Sequence, residues 1–107
     1  MKSTIFISFD FSVRGDYEGM YTWLDRHKAK ECGDNVAVLN YEYTHELLSD
    51  LKEELESSID TSQKTRIYVI YRDSTTKKMK GKFIIGGRKA SPWLGYAGEL
   101  DESDEEV

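Results

Sequence analysis

Ile5, Ile7 and Phe9 recur at every second position of Thr4-Ile5-Phe6-Ile7-Ser8-Phe9, a period that puts all three on one side of a strand. The run is rich in β-branched and aromatic residues and predicts β1 over 4–9, ending at Asp10. Arg14-Gly15 marks a loop. Asp16 is placed to cap a helix, and Glu18 lies near the positive end of its dipole. Tyr17, Met20, Tyr21, Leu24 and Lys28 then follow helical spacing and predict α1, with Trp23 and His27 on a flank of the stripe.

Gly33-Asp34-Asn35 is a turn cluster. The short polar run 28–32 before it suits an edge strand, β2. The nearly continuous apolar run 36–41 after it suits a central strand, β3. Thr44 can cap a second helix, α2, whose buried stripe is Leu48, Leu51, Leu55 and Ile59, with Leu47 beside it. Glu46, Asp50, Glu53, Glu54 and Glu56 make its solvated face. Residues 66–72 alternate as β4, with Ile67, Val69 and Tyr71 on one face and Tyr68 and Ile70 on the other. A turn at 73–76 leads to β5 over 79–85, which stops at Gly86-Gly87. Ser91 to Tyr96 is an irregular aromatic segment holding the only proline, Pro92.

The order β1-α1-β2-β3-α2-β4-β5 predicts an α+β fold: a ferredoxin-like βαββαβ antiparallel sheet with an extra C-terminal strand and both helices on one face. Ile5, Ile7, Leu24, Val38, Leu48, Leu51, Leu55, Ile67 and Val69 are the expected core. Phe6, Tyr68 and Ile70 belong to the opposite sheet face. Apolar residues on both faces of so small a sheet call for a partner, and a homodimer provides one most simply.

Length and charge refine this picture. The 107 residues allow one domain, read as 1–98. Hydrophobic residues at 38% are too many for a disordered chain. The net charge of -5 hides an asymmetry: 1–63 carry 6 basic and 13 acidic groups, 64–89 carry 9 basic groups and one acid, and 99–107 carry six acids and no base. The last segment is expected to be a disordered acidic tail. No apolar run reaches the roughly 18–20 residues of a membrane helix, so no membrane partner is expected. Residues 1–6 lack the apolar stretch of a secretory signal, and the single Cys32 forbids an internal disulfide. Both point to a reducing, cytoplasmic setting.

The layout resembles the second CRISPR-associated protein family and its SinR-like and VapD-like relatives. The resemblance rests on Ile5-Phe6-Ile7-Ser8-Phe9-Asp10, on Asp16-Tyr17-Glu18-Gly19-Met20-Tyr21 opening α1, on the hairpin Cys32-Gly33-Asp34-Asn35-Val36-Ala37-Val38 and on the late β5. It covers roughly residues 3–90 and is mainly topological. It implies a homodimer in which an aspartate at the end of β1 meets its symmetry mate and is linked to metal-dependent nuclease behaviour. Asp10 holds that place. Asn35-Val36-Ala37 departs from the serine-containing strand common in the CRISPR-associated members.

Two functional classes follow. In the first, the chain is a small dimeric interaction or regulatory module that has a protein partner and needs no cofactor. In the second, it is a metal-dependent endonuclease or ribonuclease using Asp10 with Mg²⁺, since paired carboxylates can hold a cation and activate water. Aspartate also closes strand–helix loops by local hydrogen bonding, the bland reading of Asp10. Lys77, Lys78, Lys80, Lys82 and Arg88 are candidate nucleic-acid contacts, interleaved with stacking faces at Tyr68, Tyr71 and Phe83. The bland reading, an edge hairpin kept from aggregating by lysines, is favoured. His27, Cys32 and His45 match no zinc spacing, and Gly86-Gly87-Arg88 lacks the other positions of a phosphate loop. Trp93, Leu94 and Tyr96 are a contact patch or tuck under the sheet.

Overall fold

Every second residue of the first strand is withdrawn from solvent in the computed structural model, which describes residues 1–62 and 64–98. β1 spans Lys2–Phe11, and Ile5, Ile7, Phe9 and Phe11 point into the core. The remaining elements are α1 (Tyr17–Arg26), β2 (Lys30–Gly33), β3 (Val36–Glu42), α2 (Leu47–Ser58), β4 (Thr65–Arg72) and β5 (Met79–Ile85). The strands form one antiparallel sheet in the order β2-β3-β1-β4-β5. This is the ferredoxin-like arrangement with an added strand beside β4, as the order of elements predicts. The expected acidic tail at 99–107 lies outside the described residues. No helix among the described residues is long and apolar enough to cross a membrane.

Both helices pack on one face. Met20 and Trp23 of α1 and Leu47, Leu51 and Leu55 of α2 join Ile5, Ile7, Leu39, Ile67 and Val69 in one buried cluster. Asp16 caps α1 as expected, accepting from the Gly19 amide at 2.9 Å. Its second oxygen accepts from the Asp60 amide at 2.9 Å, so one carboxylate also anchors the loop before β4.

Several local expectations are corrected. Trp23 is buried and Tyr21 is exposed, so the α1 stripe is rotated toward the indole. Lys28 does not extend that stripe: it takes a left-handed backbone at φ 55°, and the Ala29 amide donates to the Leu24 carbonyl at 3.0 Å to close the helix end. Thr44 does not cap α2, which starts only at Leu47. Asp50 reaches back instead and accepts from the Thr44 and His45 amides at 2.9 and 3.1 Å. In β3 the inward residues are Ala37, Leu39 and Tyr41, which leaves Val38 on the opposite face. Leu24 and Leu48 are only partly buried against the core.

Among the described residues, the other face of the sheet carries no helix. Phe6 lies between Val38 on β3 and Ile70 on β4. Next along the same face, Ser8 pairs with Tyr68 and Asp10 with Arg66, and Tyr68 pairs in turn with Phe83 of β5. The β4–β5 register shifts by one residue between Ile67 and Tyr68, which leaves Ile84 as the extra residue of β5.

Candidate functional site

The register of β1 against β4 sets Asp10 opposite Arg66, and both side chains stand on the helix-free face. Arg66 donates to Asp10 Oδ2 from Nε at 3.1 Å and also from Nη2. A third donor, Arg66 Nη1, reaches the Gly87 carbonyl at 3.4 Å. Lys89 Nζ lies 3.6 Å from the same Asp10 oxygen. The Arg66 hydrogen bond, with the nearby Arg66 and Lys89 charges, holds the Asp10 carboxyl below its ordinary 3.8 despite the opposing effect of desolvation.

Glycine decides how the second half of this site is built. Gly86 has φ +74°, and a Cβ there would meet the Thr65 carbonyl oxygen at 2.5 Å. The chain turns at this point and brings Arg88 and Lys89 back to the Asp10 end of the open face. Gly81 serves Tyr68: a Cβ at 81 would collide with the Tyr68 hydroxyl, so the ring lies across the bare backbone of β5. Tyr68 meets Phe83 edge-on at 4.8 Å between ring centroids. The Arg66 and Arg88 guanidinium carbons lie 5.8 and 5.7 Å from the Phe83 centroid, within cation–π range.

The result is a groove of about 560 Å³. Ser8, Asp10, Arg66, Tyr68 and Phe83 form its floor, and the segment 88–93 forms its wall. Of the residues singled out from sequence, Asp10, Tyr68, Phe83, Arg88 and Trp93 come together here. The others go elsewhere. Lys77 and Lys78 sit in the turn between β4 and β5. Lys80 and Lys82 pair with Tyr71 and Val69, so they stand on the helix side of the edge strand. Lys80 is committed to Asp73 at 2.8 Å, where the ion pair and the Thr75 and Thr76 amides hold the Asp73 carboxyl at about 2. The basic run is therefore not one patch.

Among the described residues no group of three or more His, Cys, Asp or Glu side chains could hold a metal ion. Asp10 is engaged by two cations, Arg66 and Lys89. Cys32 is exposed on β2, and His45 stands before α2.

A further cluster, which no spacing in the sequence marks, joins both helices to the sheet. Glu54 Oε1 accepts from Trp23 Nε1 at 2.9 Å and lies 2.6 Å from His27 Nε2, while its Oε2 accepts from the Tyr41 hydroxyl at 2.9 Å. Trp23 and His27 stack at 4.2 Å. One carboxylate thus ties α1, α2 and β3 together. Burial pushes the Tyr41 phenol above its ordinary 10.0, and the Glu54 hydrogen bond adds to the shift.

No family model, curated protein or solved structure matches this chain.

Proposed function

We propose that the chain is a dimeric interaction or regulatory module that works through the open face of its sheet, with a second copy as the partner on that face. The observation that carries this reading is a central apolar pair. Phe6 and Ile70 are cross-strand neighbours, and they remain 39% and 41% exposed. Val38 flanks Phe6 on the other side, so three adjacent strands contribute to one apolar row. A row of this kind left in water costs about 25 cal/mol per Å² that a partner would recover. The end of the row away from Asp10 suits a twofold: Lys2 stands opposite Glu42, so that end offers both signs of charge to a symmetry mate. The resemblance to the second CRISPR-associated family, whose members are homodimers, supports the same reading. Ile70→Glu, at an exposed site, is expected to abolish self-association and leave the far-ultraviolet circular dichroism unchanged.

A second reading has one observation in its favour. The Asp10 side chain is half exposed at the end of β1, the place that the resemblance links to metal-dependent cleavage. On this reading the purified protein cleaves RNA or DNA in Mg²⁺ or Mn²⁺, and Asp10→Ala does not. Failure of the unaltered protein to cleave either polymer with either metal would end it.

A further inference from the structure

We propose that the groove between β1, β4, β5 and the 88–93 segment binds a phosphomonoester dianion carried on a planar ring. Among the described residues, three cations, Arg66, Arg88 and Lys89, line the groove against one carboxylate, Asp10. That leaves an excess of two positive charges, which a phosphomonoester in its dianionic form balances. The two arginines are also held in place. Arg66 is fixed by Asp10 and the Gly87 carbonyl, and both guanidiniums rest against the Phe83 ring. A guanidinium fork matches phosphate oxygens in pairs; the Arg66 fork is taken by Asp10, so Arg88 is the arginine that offers its fork, and Arg66 adds positive charge beside it.

The ring has its own contact. Trp93 lines the groove and is 70% exposed, so its face is open to stacking. Asp10 repels an anion at close range and holds Lys89 Nζ at 3.6 Å, which puts the phosphate on the Arg88 side of the groove, lined also by Trp93. The volume of about 560 Å³ lies within the range of small-molecule sites. All of these groove residues belong to one copy of the chain.

Calorimetry of the full chain in roughly 50 mM salt, where phosphate contacts are least screened, tests the proposal with three probes: adenosine 5′-monophosphate, inorganic phosphate and adenosine. The nucleotide should bind saturably, inorganic phosphate roughly tenfold more weakly, and adenosine not at all. Replacing Arg88 and Lys89 together by Gln should weaken the nucleotide by roughly tenfold or more. Trp93→Ala should reduce the nucleotide to the affinity of inorganic phosphate. Binding should also fade as pH drops below about 6, where the phosphate loses its second charge, while Asp10 stays ionised. The same titration on Ile70→Glu, which lies outside the groove, separates this site from the dimer: binding there should persist. Absence of nucleotide binding, equal binding of nucleotide and adenosine, equal binding of nucleotide and inorganic phosphate, or indifference to the Arg88 and Lys89 changes would each overturn the proposal. So would binding of an oligonucleotide where the mononucleotide fails.

Discussion

Asp10 and Arg66 face each other across the β1–β4 ladder and are joined by an ion pair on the helix-free face of the sheet. Fifty-six positions separate them in sequence. The pair sets the character of the whole groove, because it fixes the guanidinium that Gly87 and Phe83 also touch.

Asp10→Asn is expected to change stability by less than about 1 kcal/mol in urea unfolding at neutral pH, since half of the Asp10 side chain is in solvent and the pair is screened. The pH dependence has a definite sign. Asp10 titrates lower in the folded chain than its ordinary 3.8, so the pair's contribution is present above that value. It fades as pH falls through the lowered folded value. Wild type and Asp10→Asn should therefore converge in stability in acid and differ only above it.

The helical face of the core offers a larger effect. Leu51 is fully buried in the centre of α2. Leu51→Ala should cost about 2–5 kcal/mol by equilibrium unfolding, as large-to-small changes in a packed core do. A cost near zero would contradict the packing of α2 on the sheet.

Tyr41 should ionise above its ordinary 10.0 and give a late step in an alkaline titration followed by tyrosinate absorbance. Its folded value is raised, so its contribution to stability is complete below pH 10 and is lost as pH rises through the folded value. Tyr41→Phe should remove the lagging step. Glu54→Gln should bring it down without abolishing it, because burial is the larger cause.

Gly81 and Tyr68 should show strong coupling. Gly81→Val drives a side chain into the Tyr68 hydroxyl and should cost about 1–3 kcal/mol through displacement of that ring. In a Tyr68→Ala background the same change should cost much less. Additive costs in that double-mutant cycle would show that the two residues do not share the space.

The elements were legible wherever the sequence carries a period. Ile5, Ile7 and Phe9 announce β1, Ile67 and Val69 announce β4, and Leu51 and Leu55 announce α2, because burial on one side imposes alternation or a helical stripe. The face of β3 was not legible. Val36 to Leu39 is apolar throughout, so only the pairing with β1 decides that Ala37 and Leu39 turn inward and Val38 outward. On α1, Tyr21 and Trp23 are both aromatic, and the choice between them falls to Glu54 on the other helix, which bonds the indole. Glu54 itself looks like its acidic neighbours on α2. The groove was half legible. Asp10 and Arg88 stood out, but the sorting of the basic residues onto two faces depends on the β4–β5 register and its one-residue shift, which no local pattern records.

The most direct test of the account is the solution mass of the chain, measured by gel filtration with multi-angle light scattering at about 100 µM, since association depends on protomer concentration. The account predicts a species of twice the 12.4 kDa chain mass for the unaltered protein, and a folded species of one chain mass for Phe6→Asp combined with Ile70→Glu. A monomeric unaltered protein, or a dimer that survives both changes, would contradict it.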